Sequence, residues 1–122
     1  MRRCLVVDDS SVIRKVARSL FELCAFDVEE AEGGKEALTS CRNAPPDLIL
    51  LDWHMPAMGA IEFLSVLRGM PMSKRPFVLY CTTEADNEDI SRAFDAGADD
   101  FIIKPFDRAA LESKLAEMPH FG

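Results

Sequence analysis

The stretch LILLDWHMP, Leu48 to Pro56, is a run of four aliphatic residues that ends in a carboxylate, Asp52, before Trp53, His54 and a Met-Pro turn. An apolar run without polar alternation reads as a parallel strand covered on both faces. An unpaired acid at the end of such a strand is costly, so Asp52 calls for a reason. Two distant stretches repeat the pattern with their own charges. LVVDD, Leu5 to Asp9, ends in paired acids, and FIIKP, Phe101 to Pro105, ends in a lysine.

Strand and helix signals alternate outward from these runs. Apolar segments at Cys4–Val7, Leu48–Leu51, Phe77–Cys81 and Phe101–Ile103 read as buried strands, and FDVEEA, Phe26–Ala31, alternates as a strand nearer an edge does. Helical spacing fills the gaps. Val12, Ile13, Val16, Ala17, Leu20 and Phe21 make a first stripe, with Ser10 or Ser11 as N-cap. Ala37, Leu38 and Cys41 make a second, which stops before Pro45-Pro46. Ile61, Leu64, Val66 and Leu67 make a third, ending near Gly69 and Pro71. Ile90, Ala93 and Phe94 make a fourth with Gly97 as its C-cap. Asp107 caps a fifth, whose apolar face is Ala110, Leu111, Leu115 and Met118. Five strand–helix pairs with short connections predict an α/β fold with a parallel sheet and right-handed crossovers.

With 122 residues, the reading is one domain over residues 1–122 with no output domain. A net charge of −7 argues against a nucleic-acid binder, which needs clustered cations to neutralise phosphates. No apolar run approaches the roughly 20 residues of a membrane-spanning helix, and the run after Arg2-Arg3 meets Asp8 too soon for a signal peptide. Cys4, Cys24, Cys41 and Cys81 show no C-x-x-C pair. Free thiols in a reducing cytoplasm are the expectation.

In a doubly wound sheet, ligands sit beyond the carboxyl ends of the strands where strand order reverses. That rule brings Asp8, Asp9, Asp52, Thr82-Thr83 and Lys104 to one rim. Three close carboxylates repel one another, and a hard divalent cation relieves the repulsion. Mg²⁺ suits such an oxygen site, with Mn²⁺ as a second choice. Three carboxylates, Mg²⁺ and Lys104 sum to zero charge, a pocket ready to accept a phosphoryl group on one carboxylate. The pair Asp99-Asp100 precedes its strand instead of ending one, and reads as a turn.

Four motifs at the predicted strand ends, VVDDS, LLDWHMP, CTTEA and IIKPF, fall in the order and spacing of a known family. The chain resembles the receiver domains of bacterial response regulators, particularly the stand-alone chemotaxis type. The resemblance implies a flavodoxin-like five-stranded sheet of order 2-1-3-4-5 and a role for each rim residue. Asp52 is implied as phosphoacceptor. Asp9 ligates Mg²⁺ directly, Asp8 mainly through water, and the His54 backbone carbonyl adds a ligand. Thr82 donates its hydroxyl to the phosphoryl group and Lys104 pairs with it. Phe101 holds the position of the family's switch aromatic, and a cis Lys104-Pro105 bond is implied. His54, Thr83 and Glu84 flank the water path and tune dephosphorylation.

The implied partners are a histidine kinase or histidine phosphotransferase, a downstream protein that reads the fourth helix, fifth strand and fifth helix, and a phosphatase. Direct contact with nucleic acid is not expected. The family continues Met-Pro-x-Met with Asp-Gly, whereas this chain reads Met58-Gly59-Ala60. A side chain then stands where Gly permits φ > 0. Two other functions compete. A metal-dependent phosphatase of the haloacid-dehalogenase kind wants an acid two residues after its nucleophile, and that position is His54. A receiver-like docking module that works without phosphorylation would not need Asp9, Asp52, Thr82 and Lys104 together.

Overall fold

The computed structural model describes residues 2–83 and 87–118. Along the chain run β1 (Arg2–Val7), α1 (Ser11–Leu23), β2 (Phe26–Ala31), α2 (Gly34–Asn43), β3 (Leu48–Asp52), α3 (Ala60–Gly69), β4 (Phe77–Thr82), α4 (Asn87–Ala96), β5 (Asp100–Ile103) and α5 (Arg108–Glu117). The strands form one parallel sheet of order β2-β1-β3-β4-β5. The order reverses between β1 and β3, and this is where Asp8, Asp9 and Asp52 emerge.

The core lies on both faces of the sheet. Leu5, Ile49, Leu51, Val78 and Tyr80 pack with α2, α3 and α4 on one side. Cys4, Val6, Leu48, Leu50, Leu79 and Cys81 pack with α1 and α5 on the other. This division explains the unbroken apolarity of the central strands, because alternate residues feed opposite cores. Ser10 caps α1 by accepting from the Ile13 amide, and Asp107 caps α5 through the Ala110 amide.

Four features differ from the reading of the sequence. In α1 only Ala17 and Phe21 are buried; Val12, Ile13 and Val16 are exposed, so the apolar stripe runs on past the core. In α3 the buried face is Phe63, Leu64 and Leu67, while Ile61 and Val66 look outward. Spacing alone could not choose between neighbouring stripes in a helix apolar on more than one side. Phe94 of α4 is likewise exposed. Finally, position 60 needs no glycine. Gly59 has φ −63 as N-cap and Ala60 opens α3; among the described non-glycine residues only Ala25 has positive φ.

The end of the sheet opposite the acids is tied by one arginine. Arg68, at the end of α3, donates to the Gly97 carbonyl at 2.8 and 3.0 Å, to the Pro76 carbonyl at 2.8 Å and to Asp99 Oδ2 at 2.9 Å. Asp99 also accepts from the Val78 amide and pairs with Arg75. It is therefore an anchor between α3, β4 and β5, more than a turn residue. Gly97 follows α4 with φ +122, and a Cβ there would stand 2.6 Å from Arg68 Cγ. Both the conformation and the contact demand glycine. Gly97→Ala is expected to cost about 1–3 kcal/mol, seen in urea titration as a lowered midpoint with an unchanged slope.

Candidate functional site

The rim residues are held by extensions of the sheet ladder. The Trp53 amide donates to the Cys81 carbonyl at 2.8 Å, which carries the β3–β4 pairing past Asp52. The Lys104 amide donates to the Thr82 carbonyl at 2.8 Å, which carries β4–β5 pairing past the strand end. The Asp8 amide donates to the Ala31 carbonyl at 3.1 Å. Asp8 Oδ1 accepts from the Ser10 amide at 2.9 Å, which turns the chain into α1. Arg14 grips the same corner, with 2.7 Å to the Asp8 carbonyl and 3.0 Å to Glu30.

Asp8, Asp9 and Asp52 each offer a carboxylate oxygen, all within 4.8 Å of one another. Asp8 and Asp52 are buried and Asp9 is exposed. Lys104 Nζ lies 2.6 Å from Asp52 Oδ1 and 3.5 Å from Asp8 Oδ2. Thr82 is buried and stands one residue past Cys81, the register partner of Asp52. Five of the expected residues thus meet at one rim. His54 and Thr83 flank it with exposed side chains, and Glu84 lies outside the described residues. The Lys104-Pro105 bond is cis.

The electrostatics follow from this crowding. Burial raises the Asp52 carboxyl above its ordinary 3.8; the Lys104 hydrogen bond pulls it down, and Asp8 and Asp9 push it up again. For Lys104, burial works against the charge, but the bond to Asp52 and the field of Asp52 and Asp8 outweigh it, so its pKa is raised. Both shifts point upward, but for different reasons: burial dominates for Asp52, and the neighbouring acids dominate for Lys104. The donor set is all oxygen, anionic and over-supplied with negative charge. It fits a hard divalent cation such as Mg²⁺ and does not suit a soft metal.

Other groups near the rim have structural roles that the sequence pattern did not reveal. The Cys81 thiol is pushed up to about 12 by burial, which leaves it unreactive. Burial, and then the bond to Asp89, raise the Tyr80 hydroxyl pKa. Arg14 and Arg68 showed no signal because a charged residue on a helix surface reads as solvated until its partners are known.

A model of the response regulator receiver domain matches residues 4–116. The chemotaxis protein CheY-3 of Vibrio cholerae is 36% identical over 114 residues, which cover 93% of this chain and 88% of that protein. The phosphate regulon transcriptional regulatory protein PhoB of Klebsiella pneumoniae is 35% identical over 114 residues, 93% of this chain, and this chain spans 50% of the length of that relative. The structure of the chemotaxis response regulator CheY4 of Vibrio cholerae superposes with a TM-score of 0.88 at 33% identity, covering 95% of this chain and 97% of that one. Fold, rim and relatives agree, and the chain belongs to the response regulator receiver domains, whose members act as phosphoacceptor switches.

Proposed function

We propose that Asp52 accepts a phosphoryl group from a histidine kinase or histidine phosphotransferase, and that the resulting charge resets a protein-docking surface on α4, β5 and α5. The observation that carries this reading is the buried Asp52 with Lys104 at 2.6 Å, inside a cluster of three carboxylates. A structural salt bridge needs one acid, not three.

Asp8, Asp9, Asp52 and the His54 carbonyl would hold the cation, Mg²⁺ or Mn²⁺, with Asp9 as the most accessible ligand. Bound there, it supplies positive charge to the phosphoryl oxygens. Asp52 attacks phosphorus in line with the phosphohistidine nitrogen. The P–N bond breaks, its electron pair stays with the imidazole, and a P–O bond forms on Asp52. Lys104 is already beside the nucleophile and transfers its hydrogen bond to a phosphoryl oxygen. Thr82 donates its hydroxyl to the same group. Water later hydrolyses the acyl phosphate, with His54, Thr83 and Glu84 setting its access.

Two surfaces suit the two partners. Val12, Ile13 and Val16 expose an apolar patch on α1 beside the acids, next to a crevice of about 100 Å³ that Ile13, Val16, Leu20, Lys104 and Phe106 line. Such a patch supports docking of the phosphodonor over Asp52. On the output side the Phe101 ring meets Phe94 edge-on at 6.4 Å, and Lys114 Nζ lies 4.7 Å from its centroid. Phe101 there can exchange between this outward seat and an inward one. Four free thiols suit work in the cytoplasm, and among the described residues no helix is long and apolar enough to cross a membrane.

Trp53, the single tryptophan, reports the site. Mg²⁺ is expected to change its emission, and acetyl phosphate to change it further. Asp52→Asn is expected to abolish the second response while melting cooperatively. A wild-type protein that binds Mg²⁺ yet ignores acetyl phosphate supports the docking module instead. Steady hydrolysis of unrelated phosphoesters supports the phosphatase.

The metal affinity has a defined pH dependence. Protonated Asp52 is a poor ligand, and its folded pKa stands above the ordinary 3.8. Mg²⁺ affinity is therefore expected to fall at a pH above that value as the solution is acidified. The sign for stability is the reverse. A carboxyl whose pKa is raised by folding gives the metal-free fold a stability that is fully present below the unfolded pKa and is lost as pH rises through the folded one. At neutral pH, Mg²⁺ at ten times its Kd is expected to add about 1.4 kcal/mol, seen as a rise in Tm.

A further inference from the structure

Tyr80 is the single tyrosine, and the phosphoryl chemistry makes no use of it. It is 1% exposed, sits in β4 two residues before Thr82, and is the register partner of Phe101 on β5. Residues two apart on a strand, and register partners on parallel strands, project from the same face. Tyr80, Thr82 and Phe101 therefore share the face that α4 covers, where Tyr80, Ala93 and Phe101 pack in one cluster. The Tyr80 hydroxyl donates to Asp89 Oδ2 at 2.8 Å, and Asp89 lies in the first turn of α4. The Phe101 ring, by contrast, is engaged at the outer margin, between Phe94 of α4 and Lys114 of α5.

We propose that Tyr80 is a positioning residue of the switch: its hydroxyl clasps Asp89, holds the first turn of α4 on the sheet, and so keeps Phe101 outward until Asp52 is phosphorylated. This rests on the reading of Asp52 as phosphoacceptor. An inward Phe101 must enter the layer between β4 and the first turn of α4. That layer already contains the Tyr80 ring and its bond to Asp89. A hydroxyl bonded to a carboxylate is charge-assisted and stronger than a neutral pair, so lifting the turn has a cost that the phosphoryl group must offset. The clasp therefore opposes the phosphorylated state and, by linkage, weakens binding of a phosphoryl mimic.

Phenylalanine fills the volume of tyrosine without the hydroxyl, which separates the clasp from the packing. The test is titration of beryllofluoride in saturating Mg²⁺, followed by Trp53 emission. Tyr80→Phe is expected to bind about ten-fold tighter than wild type, the factor for losing one charge-assisted bond from the unliganded state. Asp89→Ala, which leaves the core intact, is expected to give a similar gain, and the double variant no more than either single one. Unchanged or weaker affinity in Tyr80→Phe overturns the proposal, as do gains that add in the double variant. A lower Tm with unmoved affinity makes the tyrosine merely structural and overturns it too. If wild type binds Mg²⁺ but not beryllofluoride, the phosphoacceptor reading fails and takes the clasp with it; a wild type that responds while Tyr80→Phe matches it removes the clasp alone.

Discussion

The contact between Lys104 and Asp52 is the constraint around which the rest is arranged. A carboxylate at the end of a strand that is buried on both faces must be neutralised, and in this fold the neutralising cation arrives from a strand two places away. β3 and β5 never touch; β4 lies between them. The 2.6 Å bond therefore depends on three strands keeping one register, and it fails if any of them slips. Register in turn is fixed by the two cores, because a slip of one residue would exchange the α1–α5 face for the α2–α4 face along the whole strand. Site and fold are specified by the same alternation.

That single cation is not enough. Asp8 and Asp9 add charge that Lys104 cannot balance, and burial of Asp52 makes the shortfall more costly. Elsewhere the chain shows what balanced pairing looks like. Glu30 is held by both Arg18 and Arg14, and its pKa is lowered, first by the Arg18 hydrogen bond. By linkage, Glu30 contributes stability above its unfolded pKa and loses it as pH falls through the folded one. Asp52 behaves in the opposite sense. Unlike Glu30, then, the buried Asp52 shares its one cation with a second acid, Asp8, and lies close to a third, Asp9.

How much of this was legible follows from which signals are local. Strand ends were legible because apolar runs stop where the chain leaves the core, so Asp8, Asp52, Thr82 and Lys104 could be placed from β1, β3, β4 and β5 alone. The caps at Ser10 and Asp107 were legible for the same reason. The helix faces were less so. α1 has apolar residues from Val12 to Phe21, and only its contact with the sheet decides that Ala17 and Phe21 are inside and Val12 and Val16 outside. Those residues look like core in sequence because an exposed apolar patch has the composition of a core. The doubt attached to Ala60 dissolved for a backbone reason: α3 begins there with ordinary φ. Arg68 and Asp99 lie 31 residues apart, and no periodicity signals a pair at such a distance.

The two ends of α4 are held by unlike means, and the difference bears on which part of the molecule can move. At its C-terminal end, Gly97 donates back to Ala93 and Phe94. The Gly97 carbonyl takes two guanidinium bonds from Arg68, and Asp99 binds Val78, Arg68 and Arg75. Through Arg68 and Asp99 that knot ties the end of α4 to α3, β4 and β5, so displacing it would break several bonds at once. At the N-terminal end, a phenol and a carboxylate meet across the face that also carries Thr82 and Phe101. A helix fixed at one end and clasped at the other pivots about the fixed end. On the proposed phosphorylation of Asp52, the largest displacement would fall at the first turn, beside the strand that carries Thr82.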